Sequence, residues 1–456
     1  MPARSKSRSA AKKGQRVAVV GFGYVGTIIG AYLASQGFRV TAIEAREEVV
    51  RSIRERRLHI REAGLDEVLL PLIRKGAITA TTSRSAVEEA DTIIITVGTP
   101  LGHGEVPDLS ALTEVTGEIA PHLRKGQLVI LKSTIPPGTT RKVVAPILER
   151  SGLRAGVDFH LAFCPERLAE GNALREVPEL PVVVSGISEA SAAAAARFWK
   201  SAKLATLRVG SLEAAELVKL ADNVWIDLTV ALTSELAQVC ERLDVDVLEV
   251  IRGANSLRKG QGHVNYLHPG IGVGGSCLTK DPWFFADLGA RLGVDVRLPQ
   301  AGRQVNERVP SLVAEAIREE LHLRDFPVGS KVAVLGYAFK GATGDTRNTP
   351  VQPIIENLRS NGFQVSVFDP WVTAEQVQSE SGQEPARSLE ECVQNAACVL
   401  VATNHPEFVG LSAARLNGRA PRAFVYDGWH VLDPEAITKA GIDYRSPGRN
   451  VSAHHA

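Results

Sequence analysis

Hydrophobic positions along this chain follow two rhythms, and the change between them divides it. Between residues 16 and 210, short β-branched apolar runs at 17–20, 40–43, 92–97, 128–131 and 182–185, with a further apolar strand at 161–163, alternate with stretches of helical periodicity. Runs that are apolar at consecutive positions suit strands covered on both faces, so this rhythm predicts an α/β fold with a doubly wound parallel sheet. Residues 212–243 then contain neither glycine nor proline and predict a single helix. At 1.5 Å per residue such a helix spans roughly 45 Å, a length that suits a connector or a dimer seam. The glycine-rich stretch 253–275 reads as irregular backbone near a ligand. From Lys331 the first rhythm returns: strand 332–335, helix Val351–Ser360, strand Gln364–Phe368, helix 388–395, and strands 398–402 and 424–426. The expected organisation is therefore a disordered tail 1–14, a first α/β domain 15–210, a central helical domain 211–325, a second α/β domain 326–448 and a short tail 449–456. The crevice between the α/β domains is the expected ligand site.

The first strand runs directly into Gly21-Phe22-Gly23-Tyr24-Val25-Gly26 and a helical pattern. In that setting the glycines permit a tight turn, close approach of backbone to a pyrophosphate and close helix packing, with the helix N-terminus facing the phosphates. Both α/β domains are expected to be Rossmann-like. Glu44 ends the second strand, twenty-three residues after Gly21. An acidic group there bonds ribose hydroxyls and repels a 2′-phosphate, which favours NAD over NADP. Arg46, two residues on, tempers that preference.

A second signal lies in Gly274-Gly275-Ser276-Cys277-Leu278-Thr279-Lys280-Asp281-Pro282. Small residues admit a substrate, and a helix start with Lys280 beside it lowers a thiol's pKa, as a nucleophilic cysteine requires. A lone cysteine is nevertheless more often a buried small hydrophobe. Lys219 and Asn223 stand one turn apart on the long helix and can aim at one oxyanion or water, although such pairs are common on exposed faces. Glu166, Arg167 and Glu170 in CPERLAEG follow a strand end, where open α/β sheets bind ligands.

Composition narrows the classes further. Hydrophobic residues make up 44% of 456, enough for a large core, and net charge is +1. Arg4, Lys6, Arg8, Lys12 and Lys13 crowd the start, so the remainder is net negative and offers no broad basic face for nucleic acid. No run approaches the ~18 apolar residues of a membrane span. Five cysteines without a CxxC read as reduced thiols in a cytoplasmic protein, and no metal-ligand spacing stands out.

Seven ordered motifs together resemble the UDP-glucose/GDP-mannose dehydrogenase family: GFGYVG, VGTP at 97–100, STIPPGT at 133–139, CPERLAEG, the Lys219 and Asn223 pair, GGSCLTKD, and GYAFKGATGDTRNTP at 336–350. The resemblance covers residues 16 to about 434. It implies oxidation of a nucleotide-sugar C6 alcohol to a carboxylate by two NAD. Asp281, with Lys219 and a water, takes the first proton; Cys277 forms a thiohemiacetal and then a thioester; Glu166 activates the hydrolytic water. Lys219 and Asn223 hold the oxyanion, and Thr134 positions water or cofactor. By the same resemblance Thr99, Glu170, Lys280 and Arg347 lie near the cofactor. Glu166, Arg167, Asn265, Tyr266, Gly274, Phe339 and Lys340 contact substrate, Lys340 through the nucleotide. The long helix forms the core of a homodimer or larger assembly.

Within the family, CPERLAEGNALREVPELPVVVSG and the GVGG and DPWF of the cysteine loop are most similar to the UDP-N-acetylhexosamine branch, the UDP-N-acetyl-D-mannosamine dehydrogenases in particular. SCLTKD is closer to the UDP-glucose enzymes. Two departures stand out: His263 occupies the place of an arginine before Val264-Asn265, after an insertion SLRKGQG in which Arg258 offers a replacement, and Trp429-His430 follows Asp427-Gly428 where an arginine is common. The competing readings are a two-electron hydroxyacid-type dehydrogenase, which the second α/β domain and Cys277 oppose, and a silent nucleotide-sugar sensor.

Overall fold

A computed structural model describes residues 14–260 and 262–451. The basic start and residues 452–456 of the expected C-terminal tail lie outside the described residues. The chain divides into two compact units, one reaching to Asp222 and including Asp287–Leu292, the other comprising Asn223–Ala286 and the chain from Gly293.

The first unit is built on strands β1 (Arg16–Val20), β2 (Arg39–Ile43), β3 (Ile78–Thr81), β4 (Thr92–Ile95), β5 (Leu128–Leu131), β6 (His160–Phe163), β7 (Val182–Gly186) and β8 (Thr206–Arg208). Their order in the sheet is β3-β2-β1-β4-β5-β6-β7-β8. The central strands are apolar on both faces because both faces are covered, by one apolar cluster around Phe22, Phe198 and Trp199 and by another around Phe159 and Phe163. The sheet departs from the expected all-parallel one at β7, which runs antiparallel to β6. Strands β3 and β8 escaped the sequence reading because they are short, partly exposed edges without an apolar run. β1 and β4 are neighbours although β2 and β3 intervene in sequence; at such a switch point the loops diverge and leave a crevice at the strand ends.

The second unit holds a hairpin, β9 (Arg258–Lys259) and β10 (Gly262–His263), and a sheet of β11 (Lys331–Leu335), β12 (Gln364–Phe368), β13 (Cys398–Val401), β14 (Phe424–Asp427), β15 (Tyr444–Ser446) and β16 (Arg449–Val451) in the order β12-β11-β13-β14-β15-β16. Residues 449–451, expected as tail, instead add the last strand antiparallel to β15. The stretch expected to be irregular from Gly253 is so only in part: Gly253 belongs to the helix Val247–Asn255, and the hairpin follows. The expected helix 388–395 is confined to Leu389–Val393, with the Ser388 hydroxyl accepting the Glu391 N–H as its cap. A helix of 26 residues, Leu298–Leu323, carries Pro299 and Pro310 and therefore gave no clean helical signal.

The two sheets share one turn device. Gly21 and Gly336 follow the first strand of each sheet at φ 86° and 99°, a region that glycine enters without penalty. Their N–H groups each donate at 2.8 Å to the last residue of the neighbouring strand, Ile43 or Phe368. The next N–H donates to an acid just beyond that strand: Phe22 to Glu44 at 2.9 Å, and Tyr337 to Asp369 at 2.6 Å.

The helix Leu212–Leu243 matches its expected bounds. Glu216, Lys219, Asn223 and Asp227, spaced three, four and four apart, form one stripe, and all four are buried. Glu216 accepts the N–H groups of Gly138 and Thr140. Burial is the largest influence on its carboxyl and pushes its pKa up, against those hydrogen bonds. Asp227 accepts from Arg303 Nη1 at 2.8 Å and Asn306 Nδ2 at 2.8 Å on Leu298–Leu323, and Arg303 Nη1 also reaches the Leu278 carbonyl at 3.5 Å. Removing one member of such a pair strands the other charge in a dry interior. Asp227→Ala is expected to destabilise the protein by about 3–5 kcal/mol, with Asp227→Asn milder because it keeps hydrogen-bonding capacity. Chemical denaturation checks this, and an unchanged midpoint in the alanine variant would contradict it.

Candidate functional site

In the first unit the glycine loop forms a cradle. A Cβ on Gly26 would lie 2.1 Å from the Gly21 carbonyl, so the helix Tyr24–Ser35 packs on the loop only because Gly26 has no side chain. A Cβ on Gly23 would meet nothing within 4 Å, so space remains beside the helix start, and no side chain caps that helix. Tyr24 and Val25 supply its first N–H groups. This open, uncapped N-terminus at a sheet switch point fits the pyrophosphate of a dinucleotide.

Glu44 is buried, with Oε2 accepting the Phe22 N–H and Oε1 accepting the backbone N–H and Nε of Arg46, both at 3.2 Å. Burial works to raise its pKa, but the Arg46 hydrogen bonds and charge, together with the Phe22 N–H, outweigh burial and hold it below the usual carboxylate range. Each oxygen of a carboxylate accepts more than one donor, so the group that braces the glycine loop retains capacity for a ribose hydroxyl.

Beyond β4 and β5, Thr99 donates its hydroxyl to the Thr134 carbonyl at 2.5 Å, and Ser133 donates to the Val97 carbonyl at 2.6 Å. These bonds join the VGTP and STIPPGT loops and bring Thr99 and Thr134 together. In CPERLAEG, Glu166 Oε1 accepts the N–H groups of Arg167 and Leu168, both at 2.7 Å, while Oε2 pairs with Lys132 Nζ at 3.2 Å. Burial is again the largest single influence on Glu166 and raises its pKa. The Lys132 charge, the Leu168 N–H and the Lys219 charge together reverse it, so the carboxyl lies low. Its stabilising contribution is present above the ordinary carboxylate range and fades as pH falls through the lowered value. Arg167 turns to Asp222, Nε to Oδ2 at 2.8 Å. Glu170 is half-buried beside Tyr24, whose phenol is pushed up by burial and then by the charges of Glu62 and Glu170. Glu62 anchors the same segment by accepting the N–H groups of Gly171 and Ala173.

In the second unit Cys277 is exposed, whereas Cys164, Cys240, Cys392 and Cys398 are buried. Burial pushes the Cys164 and Cys392 thiols up to about 11, away from reactivity. The Cys277 carbonyl accepts the Lys280 and Asp281 N–H groups at 3.1 and 2.9 Å, which sets the thiol just before the helix Asp281–Arg291. Asp281 is fully buried and accepts from Asn223 Nδ2 at 2.5 Å through Oδ2, while Lys280 Nζ pairs with Oδ1 and lies over the Phe284 ring. Lys219 and Asn223 are themselves buried, which removes the reading of an exposed surface pair.

The cysteine loop is strapped to the segment 336–350. Gly275 N–H donates to the Arg347 carbonyl at 2.9 Å, and Asn348 Nδ2 donates to Thr279 Oγ1 at 3.0 Å. A Cβ on Gly274 would lie 2.6 Å from Phe339 Cβ, so this glycine is required by contact with Phe339. Lys340 is half-buried on the same segment, and the Arg347 side chain is folded back on Asp345. Tyr266 exchanges two backbone bonds with the Asn255 side chain, at 2.7 and 2.9 Å, which holds the stretch carrying exposed Asn265. Arg258 is exposed on the hairpin. Trp429, which follows Asp427-Gly428, carries no charge, and His430 beside it is pushed down to about 4 by burial and then by His268, so the pair brings no positive charge at neutral pH.

Sequence reasoning missed Lys132, Glu62, Asp227, Arg303, Asp369 and His405. Lys132 and Asp227 carried a legible signal, a charge within an apolar run and a charge on the Lys219 and Asn223 face. Among the described residues no group of three or more His, Cys, Asp and Glu side chains could hold a metal, and no helix is long and apolar enough to cross a membrane.

Residues 15–202 match the NAD binding domain of the UDP-glucose/GDP-mannose dehydrogenase family, 213–308 its central domain and 333–434 its UDP binding domain. Over 435 residues the chain is 33% identical to a UDP-N-acetyl-D-mannosamine dehydrogenase of Pyrococcus horikoshii, covering 95% of this chain and 99% of the relative. A solved structure of UDP-D-ManNAc dehydrogenase from P. horikoshii is similar with a TM-score of 0.84 at 34% identity, over 95% of this chain and 99% of that one. A UDP-glucose dehydrogenase structure from Pyrobaculum islandicum has a TM-score of 0.84 at 29% identity, over 98% and 100%. With the glycine cradle, the cysteine loop and all three domains in order on one chain, the protein belongs to the UDP-glucose/GDP-mannose dehydrogenase family, NAD-dependent enzymes that oxidise a nucleotide sugar at a CH–OH group.

Proposed function

We propose that this protein oxidises the C6 alcohol of a UDP-N-acetylhexosamine, UDP-N-acetyl-D-mannosamine first among them, to the uronate through a thioester on Cys277. The observation that carries the chemistry is that Cys277 is the exposed cysteine, seated one turn ahead of a helix whose first residue is the buried Asp281. A helix N-terminus favours the thiolate over the thiol.

NAD, when bound in the glycine cradle with Glu44 at its ribose, supplies the acceptor for the hydride lost at each of two stages. In the first stage Asp281, with Lys219 and a water, takes the hydroxyl proton as the alcohol becomes an aldehyde. Cys277 Sγ then bonds the aldehyde carbon, and its proton passes to the carbonyl oxygen, which Lys219 and Asn223 hold. In the second stage that hydroxyl proton is released, and the carbon becomes a thioester carbonyl. Glu166, held ionised by its surroundings, takes a proton from the attacking water; the carbon–sulfur bond breaks, the thiol is restored and the carboxylate leaves. One water is consumed and two NAD are reduced for each sugar.

Thr99, Thr134, Glu170, Lys280 and Arg347 are assigned to the cofactor side. Arg167, Asn265, Tyr266, Gly274, Phe339 and Lys340 are assigned to substrate, and exposed Arg258 to the role of the missing arginine. The N-acetylhexosamine assignment rests on the motifs around CPERLAEG and DPWF and on relatives named UDP-N-acetyl-D-mannosamine dehydrogenase, including one of Campylobacter jejuni at 32% identity. SCLTKD and the P. islandicum neighbour favour UDP-glucose as the second reading. We assign the enzyme to the reducing cytoplasm and to a homodimer. Trp225, Leu232 and Val239 are exposed apolar residues seven apart on the central helix, the repeat of a helix seam.

Limiting UDP-N-acetylmannosamine with excess NAD is expected to yield two NADH per sugar, and Cys277→Ala to abolish steady turnover; a yield of one, or an active alanine variant, refutes the thioester. Across UDP-N-acetylmannosamine, UDP-N-acetylglucosamine, UDP-glucose and GDP-mannose, kcat/KM is expected to be highest for the first, and a preference for UDP-glucose selects the second reading. Leu232→Glu is expected to shift the particle from dimer to monomer mass in light scattering.

A further inference from the structure

Lys132 ends the apolar run of β5, is buried, and has no role in the scheme above. An ammonium in such a place is costly unless paired and hydrogen-bonded. Its Nζ lies 3.2 Å from Glu166 Oε2, donates to the Cys164 and Pro165 carbonyls at 3.4 Å each, and stands 5.2 Å from the centre of the Trp199 ring. Ile29, Val177, Trp199 and Leu204 line a small cavity against which the pair sits, so much of its setting is apolar and poorly screened.

We propose that Lys132 is a positioning residue for hydrolysis of the covalent intermediate: its charge keeps Glu166 ionised, and its ion pair, anchored by its bonds to the Cys164 and Pro165 carbonyls, fixes the carboxylate for proton abstraction. The inference rests on the reading of Glu166 as the base. Two cations bear on Glu166, Lys132 from the end of β5 and Lys219 from the central helix, while the Arg167 guanidinium on its own segment is turned onto Asp222. Of the charges acting on the carboxyl, that of Lys132 is the strongest, and Lys219 is weaker. Without Lys132 the burial of Glu166 is opposed only by the Leu168 N–H and the weaker Lys219 charge, and a carboxyl that is protonated cannot accept a proton from water.

The test compares wild type, Lys132→Met, Lys132→Gln, Lys132→Arg and Glu166→Gln with NAD and UDP-N-acetylmannosamine, or whichever sugar of the panel is turned over. Steady-state kcat is measured against pH, and the Cys277 adduct is quantified by intact mass after acid quenching. In Lys132→Met the acidic limb of the profile is expected to move up by roughly one to three pH units, with turnover at pH 7 lowered on the order of a hundredfold. The adduct should accumulate at pH 7 and clear as pH rises, and Lys132→Arg should restore most of the rate. Lys132→Gln keeps a polar group toward the two carbonyls and should reproduce the shift if the methionine variant does not fold. A folded Met or Gln variant with an unmoved limb and no adduct, or a loss equal at every pH, overturns the role of Lys132. Full turnover in Glu166→Gln overturns the base assignment itself, a failure separate from the first because Lys132 is intact in that variant.

Discussion

Four polar side chains buried along one face of a single helix impose the strictest condition on this protein. Glu216, Lys219, Asn223 and Asp227 each need partners that water cannot provide, and each missing partner would cost several kilocalories per mole. Glu216 is met by backbone N–H groups at Gly138 and Thr140, Asn223 by Asp281, and Asp227 by Arg303 and Asn306. The requirement for satisfaction thereby becomes positional accuracy: Asp281 is held by Asn223, while Arg303 reaches back to the carbonyl of Leu278, next to Cys277.

The cysteine loop obtains its shape from neighbours more than from its own sequence. Gly274 and Gly275 are required because Phe339 lies against them, and the loop amide of Gly275 is spent on the Arg347 carbonyl. The segment 336–350 lies in the part of the chain that matches the UDP binding domain, so the piece expected to hold the nucleotide also braces the cysteine loop. That arrangement suits the covalent intermediate proposed above, because a loop held by a rigid contact loses little order when a substrate arrives.

The two sheets use the same turn twice, a glycine with positive φ followed by an N–H bonded to an acid beyond the neighbouring strand. In the first sheet the acid is Glu44, buried and joined to the more exposed Arg46. In the second it is Asp369, fully enclosed and joined to His405. His405 Nδ1 in turn accepts the Ala342 N–H at 3.2 Å, so this version of the device is turned inward to hold the loop that carries Phe339 and Lys340. The same backbone solution thus joins its acid to an exposed arginine in one sheet and to a buried histidine in the other.

Much of the architecture was legible in the chain. Apolar runs marked the central strands because strands buried on both faces must be apolar throughout, and the absence of glycine and proline marked the central helix to its ends. The glycine loop, Glu44 and the cysteine loop were legible for a similar reason: backbone geometry and covalent chemistry admit few residue types. Edge strands β3 and β8, the antiparallel turn at β7, the proline-bearing helix Leu298–Leu323 and β16 were not, since their stability comes from neighbours distant in sequence. Charge pairing followed the same rule. A lysine at position 132 or an aspartate at 227 is only an anomaly in an apolar pattern until the fold brings Glu166 or Arg303 to it, because the free energy of a buried charge depends on its partner's position, which local sequence does not encode.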